Sequence, residues 1–215
     1  KMLDLFDYLK SKKPVVAVTE FIPKEYLLDS LDYENLYDPH VWLDMMLWGY
    51  AIERITTALI DLLPEEEAFL LSQKERYLTE FLTVKRETFE YVETLPKQQR
   101  VLVTAHDAFN YFALAYDFEV KALQGISTQS EAGIEDVRQL VQFIVDRKVP
   151  AIFVESSIPK RHIQAVQEAV KAKGWDVKIG GELFSDALGA PDSEGGTYLG
   201  MIKHNVTEIV GALVK

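Results

Sequence analysis

Three side chains, His40, His106 and Asp186, have types and local settings that could hold a divalent transition-metal ion. The chain has no cysteine, so any metal must be taken by imidazole and carboxylate, a donor set suited to zinc or manganese. His106 directly follows Val101-Leu102-Val103-Thr104-Ala105, at the carboxyl end of an expected strand and the start of an expected helix. A cation is disfavoured at that end of a helix, so a neutral imidazole, the form a metal needs, is expected there. His40 follows Asp38-Pro39 at the start of another expected helix, and Asp186 closes the stretch Gly181-Glu182-Leu183-Phe184-Ser185-Asp186. The separations match no short metal-binding pattern. Two other readings stay open: a strand-end histidine also serves as a capping or core group, and an aspartate after serine as a helix N-cap.

The other titratable candidates carry less. His162 sits beside Lys160 and Arg161, and His204 beside Lys203, so both are expected on the surface. Glu155, ending Ala151-Ile152-Phe153-Val154, could bind an arginine, stand behind a ligand or cap the turn at Ser157, and the structural role is favoured. Asp44 and Asp107 fit either a position behind a metal ligand or a helix start. Trp42 and Trp48 read as core. Asn205-Val206-Thr207 has the form of a glycosylation sequon but falls in a helical pattern. No serine nucleophile elbow, Walker loop, His-Glu-x-x-His helix or glycine-rich dinucleotide turn is present. The segment Gly189 to Gly200 contains Asp192 and Glu194, which would repel phosphate, and reads as a flexible rim loop.

The elements that must position these groups follow from apolar periodicity. Residues 2–12 (Met2, Leu3, Leu5, Phe6, Leu9) read as an amphipathic helix, followed by the strand run Val15–Val18. Residues 19–39, with Asp29, Asp32, Glu34 and Asp38, read as a solvated acidic loop. A helix is expected from after Asp38-Pro39 through Leu63 and a second from Pro64 to about Thr94, roughly 45 Å long at the helical rise per residue. From Arg100 the pattern alternates: strand Val101–Thr104, helix to Tyr116, strand Phe118–Leu123, helix Ile134–Lys148, strand Ala151–Val154, helix Pro159–Lys173, strand Val177–Ile179, and a last helix Thr197–Val214. This predicts an α/β fold with a parallel, helix-covered sheet, whose ligands gather beyond the strands' carboxyl ends.

Composition bounds the functions. A net charge of −11 argues against nucleic acid as a partner, because phosphate needs a clustered basic surface. With 48% hydrophobic residues the 215-residue chain can build a real core, and no apolar run approaches the roughly 20 residues of a spanning helix.

Five segments in order then carry a resemblance: Asp38-Pro39-His40-Val41-Trp42-Leu43-Asp44; Val103-Thr104-Ala105-His106-Asp107-Ala108-Phe109-Asn110-Tyr111-Phe112; Leu123-Gln124-Gly125-Ile126-Ser127-Thr128 with Glu131-Ala132; Phe153-Val154-Glu155; and Leu183-Phe184-Ser185-Asp186-Ala187-Leu188-Gly189. Together they resemble the zinc- and manganese-binding substrate-binding proteins of ABC importers, the TroA/ZnuA type. The resemblance implies two lobes with parallel sheets joined by one long, rigid helix, with metal in the cleft between them and little hinge motion. It divides the chain into residues 1–63 (remainder of an N-terminal lobe), 64–96 (connecting helix) and 97–215 (C-terminal α/β lobe). The metal ligands fall on His40, His106 and Asp186. No residue corresponds to a further upstream ligand of the family, so the N-terminal lobe is expected to be incomplete. The implied function is extracytoplasmic capture of zinc or manganese for delivery to a membrane permease, by a periplasmic or lipid-anchored protein without enzymatic activity. Two alternatives differ in class. A zinc hydrolase would use Glu155 or Asp107 as base, and a surface adhesion module would use the acidic loop Asp29–Asp38.

Overall fold

The computed structural model describes residues 2–30, 34–126 and 133–214. Of the segments singled out above, Ser127, Thr128, Glu131, Ala132 and Asp32 lie outside the described residues, as do the side chains of Met2 and Leu3. The chain divides into two compact units, one of Lys1–Leu27 with Met46–Thr79, the other of Leu28–Met45 with Glu80–Lys215.

The first unit is helical. It contains α1 (Met2–Lys10), most of α2 (Met45–Leu62) and the first part of α3 (Glu67–Glu93), which enters through a short helical turn at Pro64–Glu66. Pro64 fits that start because its fixed φ suits a first helical position and it has no amide to leave unpaired. Arg54 ties the 20s segment down, pairing with Glu20 and stacking over Phe21 at 5.3 Å, and Lys74 reaches Glu53 at 3.1 Å. The strand expected over Val15–Val18 does not form. A strand is held by its neighbours, and among the described residues none forms a ladder with this run, which stays partly exposed.

The second unit contains the α/β alternation: β1 (Val101–His106), α4 (Asn110–Tyr116), β2 (Glu119–Gln124), α5 (Ile134–Arg147), β3 (Ala151–Glu155), α6 (Arg161–Ala172), β4 (Lys178–Leu183) and α7 (Tyr198–Leu213). All pairing is parallel, with Val101 opposite Glu119 and Ala151 opposite Lys178. The single sheet expected from the alternation is instead two two-stranded ladders, β1-β2 and β3-β4. β1 and β3 lie side by side. At their carboxyl ends, however, the Glu155 carboxylate takes the amides of Ala105 and His106, at 2.8 and 2.9 Å.

Residues Val101, Val103 and Ala105 of β1 pack into a cluster with Leu140, Val141 and Ile144 of α5, Ile152 and Val154 of β3, and Ile163, Val166 and Val170 of α6. The two-residue period of a strand sends Leu102, Thr104 and His106 to the opposite face. Both faces of β1 are buried, Thr104 and His106 included. Hence His106 is carried on a strand that is buried along its whole length. The Gly189–Gly200 segment, expected to be a flexible rim, is a tightly folded turn. A Cβ on Gly196 would lie 2.3 Å from the Ala190 carbonyl oxygen, and one on Gly200 would lie 1.7 Å from that of Glu194. Those glycines permit close backbone approach, not freedom. Asn205 of the sequon is fully buried, bonding both the amide and the carbonyl of Phe184.

This packing predicts that Ile144→Ala, in the cluster of the second unit, costs about 2–5 kcal/mol of stability. Leu114→Ala, at an exposed position of α4, should stay within about 0.5 kcal/mol. Urea unfolding midpoints of the two variants check the contrast.

Candidate metal centre

Asp38, Pro39 and His40 form a tight turn before a short helical segment, Val41–Leu43. Asp38, expected to be solvated, is instead buried, because its carboxylate has a structural task. Its Oδ1 accepts from both the His40 amide, at 2.9 Å, and the His40 ring Nδ1, at 2.7 Å. A carboxylate only accepts, so Nδ1 carries a proton and Nε2 is the ring atom turned outward. Asn110 Nδ2 donates to Asp38 Oδ2 at 3.2 Å, and the Tyr111 hydroxyl donates to the Asp38 carbonyl at 3.1 Å.

His106 has a parallel arrangement. Its Nδ1 lies 2.6 Å from Glu155 Oε2, while Glu155 Oε1 holds the Ala105 and His106 amides. The Nδ1 contact is at ion-pair distance but outside hydrogen-bond alignment, so both His106 ring nitrogens and Glu155 Oε2 are buried without a hydrogen-bond partner. Such atoms are costly to bury unless something binds them. Glu155 thus stands behind His106 and does not cap the Ser157 turn. It is also buried, with Oε1 holding two amides and Oε2 against the His106 ring, which removes it from the role of an accessible general base.

The two imidazoles meet edge-to-face with centroids 5.4 Å apart, and Asp186 lies in front of both. His40 Nε2 is 3.4 Å from Asp186 Oδ1, and His106 Nε2 is 3.5 Å from Asp186 Oδ2. One donor atom from each of the three residues lies within 4.8 Å of the others. Donors bonded to one tetrahedral ion at about 2.0–2.1 Å would stand about 3.4 Å apart, close to the two histidine–Asp186 distances. The structure therefore brings together all three residues singled out in the sequence.

The electrostatics follow from the same contacts. Burial pulls the His106 pKa down, but Asp186 and Glu155 outweigh it and raise it to about 9. His40 is also raised, with burial opposing and Asp186 and Asp38 prevailing. Asp186 is held well below the ordinary carboxylate range, chiefly by His106 and then His40. The neutral His106 expected from a helix start is thus corrected. α4 begins four residues later, at Asn110, and the adjacent carboxylates decide the charge.

Other candidates resolve differently. His162 is partly exposed. His204, expected at the surface, is half-buried, with Nε2 2.8 Å from the Glu182 carbonyl and its ring against Phe184. The carboxylates seen behind the imidazoles are Asp38 and Glu155. Trp42, expected in the core, borders the site, and its Nε1 donates to the Ser185 carbonyl at 2.8 Å. The signal for Asp38 lies in the sequence itself: an acceptor two residues before a turn histidine can reach both its amide and its ring.

The family described as zinc-uptake complex component A, periplasmic (ZnuA), matches residues 1–212. The chain belongs to this family. Among ZnuA relatives, the zinc-binding protein TroA of Treponema pallidum is 45% identical over 215 residues, covering 100% of this chain and 69% of its own length. The manganese-binding lipoprotein MntA of Bacillus subtilis is 41% identical over 214 residues, covering 99% of this chain and 69% of its own. The solved structure of the periplasmic zinc-binding protein TroA from Treponema pallidum superposes with a TM-score of 0.94, covering 100% of this chain and 77% of that one. The mixed α/β arrangement with small parallel sheets is therefore the substrate-binding fold of the ZnuA family.

The raised His106 pKa fixes a pH dependence for the metal-free protein. Its folded value, about 9, exceeds the ordinary 6.5 of an unfolded chain, so the stabilisation is fully present below about pH 6.5. It is lost as pH rises through 9. Thermal unfolding of metal-free protein should therefore show a midpoint that falls over this window, and His106→Asn should flatten the slope.

Proposed function

We propose that this protein captures a divalent transition-metal ion, zinc or manganese, outside the cytoplasmic membrane and delivers it to the permease of an ABC-type importer. No covalent bond is made or broken, and the ion is cargo. The observation that carries this reading is the pair of imidazoles, each backed by a carboxylate, facing a third carboxylate at distances one ion could bridge. His40 Nε2, His106 Nε2 and an Asp186 oxygen are the proposed ligands, a set within the reach of zinc and manganese chemistry. The names of relatives support the same cargo: zinc for TroA of Treponema pallidum and manganese for MntA of Bacillus subtilis. Membership of the ZnuA family supports a periplasmic location, and the name of MntA supports the lipoprotein form. In the same reading, residues 1–63 form the N-terminal portion, 64–96 a connecting helix and 97–215 the C-terminal α/β lobe.

A binding protein has to hold its ion firmly and still release it. Here capture requires His106 to give up the proton that its neighbouring carboxylates favour, which couples metal uptake to proton release. The carboxylates behind the rings fix each imidazole so that little side-chain freedom is lost when the ion arrives.

Zinc titration calorimetry tests this reading. Substituting His106→Ala or Asp186→Ala should weaken binding by more than the roughly 10–100-fold that loss of an outer carboxylate costs, while His162→Ala leaves it unchanged. Unchanged affinity in both ligand variants would sink it. Zinc affinity should also rise from pH 6.5 to about 9, with protons released to buffer, because the metal needs the neutral imidazole. That slope is opposite in sign to the stability of the metal-free protein.

A further inference from the structure

The three proposed ligands differ in how they are held. His40 and His106 are buried and backed by carboxylates, whereas the Asp186 side chain is 38% exposed. An exposed carboxylate beside open solvent keeps its place before two imidazoles only if the backbone that carries it is fixed. Ser185, the preceding residue, is fixed on two sides. Its hydroxyl lies 3.0 Å from that of Ser157, and its carbonyl accepts the Trp42 Nε1 proton at 2.8 Å. Trp42 itself belongs to the turn that carries His40, and its ring meets the His40 ring edge-on at 5.3 Å. The Tyr198 hydroxyl in turn donates to the Trp42 carbonyl at 3.0 Å, and the Tyr198 ring stacks on Phe81 at 6.2 Å.

We infer that Trp42 is a positioning residue that sets the spacing between His40 and Asp186, and through it the affinity and geometry of the captured ion. The indole N–H joins the His40 turn to the backbone beside Asp186, two segments far apart in sequence. With this bond, the His40 to Asp186 donor distance is kept at 3.4 Å, which suits the short bonds of zinc. Without it, the Ser185 carbonyl loses its donor and Asp186 is freer to turn towards water. The inference rests on the metal-capture reading and adds the device that holds the exposed ligand in register.

The test uses Trp42→Phe, which keeps an aromatic ring beside His40 and removes only the N–H and part of the indole. Zinc affinity is measured by competition with a chromophoric chelator, zinc dissociation by stopped-flow transfer to that chelator, and geometry by the absorption of the cobalt(II)-loaded protein. Trp42→Phe should lower zinc affinity on the order of tenfold through faster dissociation, and should weaken and shift the cobalt(II) bands. The unfolding midpoint of the metal-free protein should move little, which separates positioning from a merely structural role. Equal affinity, dissociation and cobalt spectrum in the two proteins would overturn the inference alone. Failure of the unsubstituted chain to take up zinc would overturn the metal-capture reading and the inference with it. Should Trp42→Phe not fold, Tyr198→Phe carries the test: faster zinc release supports the inference, and an unchanged rate overturns it.

Discussion

Two buried imidazoles can stand edge to face only where their protons and charges are controlled, and in this protein carboxylates do that from both sides. Asp38 holds the far nitrogen of His40, Glu155 stands behind that of His106, and Asp186 faces both. Burying these charges would be costly if they stood alone, because water lost from a carboxylate is regained only through partners of opposite charge or hydrogen-bond donors. Each buried carboxylate accordingly has backbone amides as well as a histidine: His40 N–H for Asp38, and Ala105 and His106 N–H for Glu155. The backbone of the site and its charge balance are therefore one construction.

The rest of the unit serves that construction. β1 is buried on both faces, so His106 arrives on a strand with little room to shift, and the β3 strand beside it ends on Glu155. The α5 and α6 helices pack their Ile, Leu and Val side chains against one face of these strands. On the other side of the chain's logic, the Asp38 turn is tied through Asn110 and Tyr111 to α4, the helix that follows β1. Apolar packing sets where the strands end, and polar contacts at those ends set which atoms point inward.

Much of this was legible in the sequence. The period-2 and period-3.6 patterns locate the strands and α-helices from β1 onward to within a few residues, and the rule that ligands gather at strand ends singles out His106. What brought His40 and Asp186 to it was the order of five motifs, since no local pattern joins residues so far apart. Three things were not legible, each for a physical reason. Val15–Val18 has strand propensity, but a strand exists only with a neighbour, and among the described residues it has none. Glu155 looks like an ordinary acidic residue until tertiary structure surrounds it. The Gly189–Gly200 turn has the composition of a loose loop, yet its glycines answer close carbonyl contacts that only the folded chain creates.

The central claim is that His40, His106 and Asp186 hold one ion together. X-ray absorption at the zinc edge of the loaded protein tests it most directly, because imidazole gives a multiple-scattering signature that water and carboxylate lack. The account predicts two imidazole nitrogens and at least one oxygen at about 2.0–2.1 Å. An all-oxygen shell with no imidazole scattering would contradict it.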